Sequence, residues 1–380
     1  MKILSVTGPL HKEFGGPPVA ATEIAVSLAK LGHQLSLLVC GQSASDEEKN
    51  SDLFEKLNQS GAQVTVLRRR AESIYGALLT LAEIKTVIRK IGNVEVVILH
   101  QIFELQHVVI FPTLLLMKKP FVIMPHGTLT NYQRRQHRWR KFFFSPATYL
   151  FLRSAKKIFV ATDLEKSQLP KFLREKGCVV GLGIEKKERV LQDSVNDFSN
   201  FTFLYIGRIA RKKRLDLALR GFALAAEKSQ INMKFIVCGD GDKNEIMKLK
   251  ALVEELRINS AVQFRGWVDS REKELAFLES DCFILISEDE NFAIAAAEAL
   301  AHGLPCILSS NVALADLVKK HNAGIVVDLL EPLEIEKAIS ALLIFNRENT
   351  KKSTQRAASE LSWDIIARKW ESTIISIIQS

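Results

Sequence analysis

Residues 287–305 read SEDENFAIAAAEALAHGLP and carry the clearest local pattern in the chain. An apolar run that is typical of a buried strand, CFILI, comes immediately before them. The acidic residues indicate a turn, and Asn291 is a suitable N-cap for a helix over Phe292–His302. Gly303 and Pro305 follow in the order that usually ends a helix. The sequence therefore predicts a strand, an acidic turn and an Ala-rich helix.

Two carboxylates, Glu290 and Glu298, lie in this element with seven residues between them. The N-terminus of a helix offers unbonded N–H groups and a positive dipole, which together favour an anion. Glu298 lies among alanines, where a carboxylate needs a partner, and a bound diol would provide one. A nucleotide sugar, with phosphate at its centre and hydroxyls at both ends, fits this arrangement. A surface glutamate on an amphipathic helix is the alternative interpretation.

The composition is ordinary for a globular protein, and only the distribution of charge stands out. The 380 residues are enough for two domains, with 47% hydrophobic and 25% charged residues. The run MKILSV is too short for a signal peptide, and no apolar run is long enough to span a bilayer. Five cysteines scattered through apolar runs indicate reduced core residues of a cytosolic protein. The net charge of +9 is concentrated in residues 117–157, which contain ten Lys or Arg and no Asp or Glu.

Strand and helix patterns alternate along the chain, which is typical of βαβ units in parallel sheets. We therefore predict an α/β fold in two halves, joined by a polar linker at Glu185–Asn200. The predicted domains are residues 1–190 and 191–362, and a last helix over 363–380 is expected to return to the first domain.

Two loops at predicted strand ends are candidate ligand contacts. The strand KILSV leads into a loop with Gly15 and Gly16, which would let the backbone approach a phosphate or form a tight turn. The spacing is not GxGxxG, so the loop gives little support to a dinucleotide site. The strand PFVIM delivers His126 to its C-terminal end, where ligand sites of α/β proteins form. A structural histidine, hydrogen-bonded at a strand end, is the alternative for His126.

Arg208 and Lys213 are the candidate phosphate-binding cations. Arg208 follows the strand FTFLYI, and Lys213 lies where the next helix begins. Two fixed cations at the end of a strand suit a pyrophosphate, although a basic surface turn would show the same residues. Asp240 and Asp242 are interpreted as turn residues rather than metal ligands.

The segment Asn131–Phe144, NYQRRQHRWRKFFF, interleaves basic and aromatic residues. Three interpretations compete: an interfacial helix on anionic lipid headgroups, a nucleic-acid contact and a solvated basic face. The first is favoured, and no recognised nucleic-acid fold signature accompanies the segment. The candidate contacts to a membrane or an acceptor are Arg134, Arg135, Arg138, Trp139, Arg140 and Lys141.

Taken together, these motifs resemble those of the retaining, nucleotide-sugar-dependent glycosyltransferases of family 4, the glycosyl transferases group 1. The resemblance covers nearly the whole chain and implies the GT-B fold, in which an acceptor-binding and a nucleotide-sugar-binding Rossmann-like domain face each other across a cleft. The motifs are Glu290 to Glu298, Gly207-Arg208 with Lys213, Gly239-Asp240-Gly241, Phe264 to Val268, Gly15-Gly16 with Leu31-Gly32-His33, and Pro125-His126-Gly127. The last motif, followed by the basic segment, also resembles bacterial enzymes that build O-antigen, capsule or exopolysaccharide.

The resemblance implies a role for each motif residue. Glu298 would hold the ribose hydroxyls, and Glu290 would lie by the hydroxyls of the donor sugar. Arg208 and Lys213 would stabilise the leaving nucleoside diphosphate, and His126 would lie near the reacting sugar. The other donor contacts would be Gly15, Gly16, Gly207, Asn291, Phe292, Ala293 and Ile294. The resemblance implies no side-chain nucleophile, because a diphosphate oxygen would take the proton of the acceptor, and we expect no cofactor or metal.

We therefore expect a hexosyltransferase whose partners are a nucleotide sugar, a lipid-linked glycan acceptor and an anionic membrane surface, without nucleic acid. The expected setting is bacterial surface polysaccharide or lipopolysaccharide synthesis, peripheral to the cytoplasmic face of the plasma membrane. The family often has EGFG where this chain has Glu290–Ala293, and a glycine where Arg214 stands, which leaves the sugar open. A nucleotide-sugar 2-epimerase of the same fold and a non-catalytic basic binding protein are the alternatives.

Overall fold

A computed structural model describes residues 1–11, 16–43, 45, 47, 51–68, 79–102, 106–131, 146–185, 199–345 and 347–379 of the chain. The chain divides into two compact units, one of Met1–Gly183 with Trp363–Ser380 and one of Ile184–Ser362. The division falls a few residues before the predicted boundary at 190, and the last helix belongs to the first unit. Most of the predicted linker lies outside the described residues.

The first unit contains a parallel sheet with the strand order β3-β2-β1-β4-β5-β6-β7. Its strands are β1 (Lys2–Thr7), β2 (Gln34–Gln42), β3 (Gln63–Arg68), β4 (Val96–His100), β5 (Phe121–Met124), β6 (Lys157–Val160) and β7 (Gly177–Val179). Its helices before the second unit are α1 (Gly16–Lys30), α2 (Ser51–Gln59), α3 (Leu81–Gly92), α4 (His107–Leu116), α5 (Pro146–Ser154) and α6 (Asp163–Gln168).

The strands of this sheet are apolar runs because helices cover both of its faces. Every residue of β4 is buried, as expected for a central strand of a parallel sheet. The strand order reverses between β1 and β4. Loops that leave neighbouring strands at such a reversal diverge and open a crevice at the C-terminal edge, where α/β proteins bind ligands.

The second unit repeats this plan in a parallel sheet with the order β10-β9-β8-β11-β12-β13. Its strands are β8 (Asn200–Ile206), β9 (Asn232–Cys238), β10 (Val262–Gly266), β11 (Cys282–Leu285), β12 (Cys306–Ser309) and β13 (Gly324–Val327). Its helices are α7 (Leu215–Lys228), α8 (Lys243–Glu255), α9 (Ser270–Leu278), α10 (Ile294–Ala301), α11 (Ala315–His321), α12 (Pro332–Leu343) and α13 (Arg347–Glu360). The order reverses between β8 and β11, so the second crevice lies at their C-terminal ends.

The last helix, α14 (Trp363–Gln379), is fixed to the first unit by Trp370. The indole of Trp370 is fully buried, and its Nε1–H donates to the carbonyl of Gly181 at 3.1 Å. The ring also packs edge-on against Phe159, with 5.0 Å between ring centres. A buried indole whose N–H is satisfied is a strong anchor for a terminal helix.

Helix α1 begins at Gly16, which the sequence placed in the loop after the first strand. Pro17 and Pro18 occupy its first turn, where proline is tolerated because these N–H groups have no partner within the helix. The prediction that Gly16 lies in the loop is therefore wrong, since Gly16 is the first helical residue.

The remaining expectations about composition have mixed support. All five cysteines are free; four of them are buried, and Cys178 is partly buried. In the part of the chain that the structure describes, no helix has the length and apolarity needed to cross a membrane. Three of the described helices were not predicted, because α5 and α11 are short and α13 is too polar to show a periodic apolar face.

Candidate active site

The site in the second unit is built where β8 and β11 end side by side. A short 3₁₀ turn, Arg211–Lys213, lies against the acidic turn that follows β11. The carbonyl of Lys212 accepts hydrogen bonds from the Glu288 N–H at 2.8 Å and the Ser287 hydroxyl at 3.1 Å. The ammonium of Lys212 in turn donates to the carbonyl of Asp289 at 3.2 Å. The basic turn and the acidic turn are therefore tied together through their backbones.

Two glycines allow the neighbouring loops to approach closely at this edge. A Cβ at Gly239 would lie 1.9 Å from the carbonyl oxygen of Gly207, and one at Gly241 would lie 2.1 Å from that of Ile209. The loops are bonded there, since Gly207 N–H donates to Cys238 O at 3.0 Å. The Gly-Asp-Gly motif is therefore a packing requirement of the edge that carries Arg208. Asp240 accepts the N–H of Gly241 at 2.7 Å, and Asp242 caps α8 by accepting the N–H groups of Asn244 and Glu245, so both carboxylates bond to local backbone as predicted for turn residues.

Lys213 and Glu290 form a mostly buried ion pair between the two turns. The backbone of Glu290 is held on both sides, because its N–H donates to Asn311 O at 3.2 Å and its carbonyl accepts from Ala313 N–H at 3.0 Å. The carboxylate is thus fixed by the loop after β12 and faces the lysine. The structure therefore pairs two of the four side chains for which the sequence predicted catalytic roles, which were His126, Arg208, Lys213 and Glu290.

Arg208 extends from the same edge as an exposed cation. Its carbonyl accepts the hydroxyl of Tyr205 at 3.0 Å, so the loop rather than the guanidinium is anchored. Burial, and secondarily the charge of Glu290, raises the pKa of Tyr205, which keeps the phenol protonated as a donor. Among the described residues, the guanidinium of Arg208 has no hydrogen bond or ion pair. It is therefore available to an anion.

The start of α10 differs from the prediction. The helix begins at Ile294, and its N-cap is Ala293 in the left-handed conformation, with φ of 65°. Asn291 and Phe292 lie in the bend before it, so the prediction of Asn291 as N-cap is wrong. No side chain caps α10, and the N–H groups of Ile294 and Ala295 precede the first hydrogen bond of the helix, from Ala296 N–H to Ala293 O at 2.9 Å. Anion binding at this helix start stays a prediction.

Glu298 has a protein partner that the sequence did not reveal. Lys273 on α9 reaches across and donates to Glu298 at 2.6 Å, with both side chains about one-third exposed. His302 joins the same two helices, since its Nδ1 contacts the Glu298 carbonyl at 2.8 Å and its Nε2 contacts Glu274 at 3.0 Å. The predicted need for a partner is therefore met by Lys273 when no diol is bound.

In the first unit, His126 lies in a tight turn after β5. Pro125 to Thr128 form a turn closed by Thr128 N–H to Pro125 O at 3.1 Å, and both central residues have positive φ, 49° for His126 and 80° for Gly127. The buried carboxylate of Glu165 fixes this turn, accepting the Gly127 N–H at 2.7 Å and the Ala161 N–H at 2.8 Å. The closed turn and its hydrogen bond to Glu165 therefore hold the backbone of His126 in place.

Burial governs the protonation of this region. It lowers the pKa of His126 to about 4, and it lowers the pKa of the neighbouring His100 well below the usual value, with a smaller effect from His126. Both rings are therefore neutral at pH 7. The first unit offers neutral imidazole at its strand ends, whereas the second offers charged groups.

Several predicted contacts lie outside the described residues: Gly15 and the basic residues Arg134, Arg135, Arg138, Trp139, Arg140 and Lys141. Other site residues were missed from the sequence, namely Ser5, His100, Glu165, Tyr205 and Lys273. A signal existed for His100, since it ends a predicted strand as His126 does. Glu165 and Lys273 lie on ordinary polar helices and become visible only through their partners.

Comparison with known families agrees with this geometry. Residues 186–360 match the family model "Glycosyl transferases group 1", and residues 15–183 match "Glycosyl transferase 4-like domain". The chain belongs to the group 1 glycosyltransferases.

Individual relatives are distant. An uncharacterized glycosyltransferase of Methanocaldococcus jannaschii is 25% identical over 224 residues, which are 52% of this chain and 56% of the relative. The chain spans about half the length of the curated relatives that it matches. Anabaena HepE, solved with UDP and glucose, superposes with a TM-score of 0.72 at 17% identity over 99% of this chain and 100% of HepE. The lipopolysaccharide outer core galactosyltransferase WaaB gives 0.68 at 16% identity over 99% of both chains. These likenesses confirm the predicted GT-B fold.

Proposed function

We propose that this protein transfers a hexose from a nucleoside-diphosphate sugar to a lipid-linked glycan acceptor, with retention of anomeric configuration, in the synthesis of a surface polysaccharide. The observation that carries the proposal is the edge of the second sheet, where Arg208, the Lys213–Glu290 pair and the uncapped start of α10 lie at the strand-order reversal. Few ligands other than a diphosphate joined to polyhydroxyl groups would use this set of charges.

The proposed chemistry needs stabilisation of the leaving group more than it needs a nucleophile. The bond between the anomeric carbon and the diphosphate oxygen breaks while the acceptor oxygen bonds to that carbon from the same face. A diphosphate oxygen takes the acceptor proton. Arg208 and Lys213 stabilise the charge that grows on the diphosphate, which is the kind of interaction that strengthens in a transition state. Because these two side chains supply positive charge, we propose that no metal is required, and that activity is unchanged by EDTA.

Glu298 is proposed to bind the ribose. A carboxylate accepts two hydroxyl hydrogens, and Lys273 holds it in place before the donor arrives. Glu290 is proposed to bind hydroxyls of the hexose, with its backbone fixed by the loop after β12. The likeness to HepE, whose solved complex contains UDP and glucose, supports a donor of this class.

The proposed acceptor and membrane contacts are argued from exposed residues of the first unit. The outward side of α4 exposes Val108 and Leu116, which are 70% and 85% accessible, and α5 exposes Leu150. Arg153, three residues after Leu150 on α5, and Lys156, two residues after the end of α5, are exposed and add positive charge to this unit. Exposed apolar side chains beside basic ones suit an anionic lipid surface. The likeness to WaaB, a lipopolysaccharide galactosyltransferase, supports a lipid-linked glycan as acceptor. We propose that the protein works at the cytoplasmic face of the membrane.

A thermal-shift screen tests the donor site. We expect UDP, GDP, ADP or TDP, alone or as a sugar conjugate, to raise the melting temperature of the wild type in one nucleotide family. The shift should be lost in Glu298→Ala. It should persist in Glu334→Ala, which breaks a comparable surface pair, Lys337–Glu334 at 2.7 Å.

Turnover then separates the functions. Sugar transfer that depends on added acceptor supports the proposal, whereas conversion of the donor without acceptor identifies an epimerase. If no nucleotide shifts the melting temperature and no sugar is transferred, the proposed function is wrong.

A further inference from the structure

Three side chains of the first unit form a continuous hydrogen-bonded chain that ends at His126. The Oγ of Ser5 lies 3.0 Å from His100 Nε2, and His100 Nδ1 lies 2.9 Å from His126 Nε2. The two ring centres are 5.2 Å apart with an angle of 21° between ring planes. The distance between the two nitrogens plus the radii of the two rings nearly equals the distance between the ring centres. The imidazoles therefore meet edge to edge, as an in-plane N–H···N hydrogen bond requires.

The hydrogen in each bond can be assigned by counting donors. Two neutral imidazoles share one hydrogen between their facing nitrogens. Ser5 is fully buried, and among the residues that the structure describes its hydroxyl has one partner, His100 Nε2. A buried donor without an acceptor is costly, so the hydroxyl donates to Nε2. His100 must then carry its hydrogen on Nδ1 and donate it to His126 Nε2.

We propose that Ser5 and His100 are positioning residues that hold His126 in its Nδ1–H tautomer, so that its available ring nitrogen is a hydrogen-bond donor. The proposed function supplies the ligand for this nitrogen, an oxygen of the donor hexose; the tautomer itself does not depend on that function.

Two further features support a fixed imidazole. Burial lowers the pKa of both rings, which keeps the chain neutral and its hydrogen count defined. The Glu165 carboxylate fixes the backbone of the turn through Gly127. Glu165 therefore sets the place of His126, and His100 sets the rotation and tautomer of its ring. Catalytic geometry depends on such supporting contacts.

Ring-¹⁵N histidine labelling of the donor-free, full-length protein tests the assignment by long-range ¹H–¹⁵N correlation, with His126→Gln used to identify the His126 signals. We expect wild-type His126 to carry hydrogen on Nδ1. His100→Asn keeps an N–H donor and should preserve this tautomer. His100→Asp, measured at pH 8 so that its carboxyl is ionised, offers only acceptor oxygens and should move the hydrogen to Nε2. Ser5→Ala should produce a mixture, because the direction of the chain is no longer set.

His107→Asn is the matched control. His107 is also a buried histidine of the first unit, and its Nδ1 donates to the Ile102 carbonyl at 2.9 Å. This variant should leave the His126 tautomer unchanged. The proposal is overturned if wild-type His126 carries hydrogen on Nε2, if His100→Asp leaves it on Nδ1, or if His107→Asn changes it as His100→Asp does.

Kinetics separates this proposal from the proposed function. In a wild type that transfers sugar, His100→Asp should lower kcat by about 10²-fold with little change in KM, and His100→Asn should restore most of it. If the wild type transfers no sugar, the proposed function fails while the tautomer measurement still decides the role of His100 and Ser5.

Discussion

The two units place their site residues at equivalent positions of similar sheets but use opposite chemistry. Each sheet reverses its strand order beside its first strand, between β1 and β4 in the first unit and between β8 and β11 in the second. The first unit presents neutral imidazoles whose pKa values burial lowers. The second presents ion pairs and the exposed guanidinium of Arg208, which has no ion-pair partner among the described residues. The topology fixes where a ligand binds, and the residues at the strand ends fix which part of a ligand each edge can recognise.

Under the proposed function, the cations of the second unit bind the diphosphate and its carboxylates bind hydroxyls. The neutral imidazoles of the first unit can hydrogen-bond to sugar oxygens but carry no charge that would attract a phosphate. This contrast is tested by removing charged side chains from the second unit or by protonating the imidazoles of the first.

The largest effect is expected from Lys213→Ala. Loss of one group that stabilises the leaving diphosphate should lower kcat by about 10²–10³-fold. Steady-state kinetics with saturating donor and acceptor measures this loss. Lys337→Ala, which removes a lysine from an exposed pair, should keep wild-type kcat. Wild-type kcat in Lys213→Ala would show that the charged edge does not serve the leaving group.

A smaller effect is expected from Glu298→Gln. Hydrogen bonds to a charged group contribute about 1.5–3 kcal/mol, so the donor KM should rise by roughly 10–100-fold. The wild type should also discriminate against a 2′-deoxyribose donor, and the variant should lose that discrimination. Equal discrimination in both proteins would place the ribose elsewhere.

The neutral rings of the first unit make stability depend on pH. The pKa of His126 is about 4 in the folded protein, and that of histidine in an unfolded chain is near 6.5. Between these values the unfolded state binds more protons, so the free energy of unfolding falls as the pH is lowered, by up to about 1.4 kcal/mol per pH unit for this group. Above pH 6.5 its contribution is constant.

Urea unfolding at pH 5, 6 and 7, followed by tryptophan fluorescence, measures this dependence. The slope against pH should be shallower in His126→Gln, which lacks the titrating ring. An equal slope in both proteins would mean that His126 is not held neutral by the fold.

The sequence was sufficient for the fold class and for the side chains that end predicted strands. Strand ends are readable because buried strands are apolar runs, so Arg208, His126 and the turn with Glu290 could be placed. The E-x7-E spacing identified Glu298, because both glutamates lie in one short stretch of sequence. These signals are contained within a single element.

Contacts between elements could not be read in this way. Lys273 pairs with Glu298 from another helix, Ser5 reaches His100 across the sheet, and Glu165 supports a turn 38 residues earlier in the chain. Nothing in the local sequence of these residues distinguishes them from ordinary polar positions. Such partners follow from strand order and register, which the sequence patterns did not specify.

The smallest effect concerns a feature that the two sites share. His126 and Ala293 both take left-handed backbone conformations, with φ of 49° and 65°. A side chain in this region costs about 1–2 kcal/mol, whereas glycine has no such cost. The cost cannot be removed at His126 without losing its ring, but Ala293 contributes only a methyl group at the start of α10. Because Ala293 is buried, loss of its methyl group offsets part of this gain, and Ala293→Gly should raise the free energy of unfolding by up to about 0.5 kcal/mol.

Ala296→Gly provides the control for this change. Ala296 lies within α10 and is fully buried, so glycine there should lower stability by about 1 kcal/mol. Urea unfolding of the two variants should therefore give opposite signs. If Ala293→Gly destabilises the protein as Ala296→Gly does, the loop before α10 is not strained. In that case the left-handed residue before α10 would not match His126 in strain, and the parallel between these two turns would end at their topology.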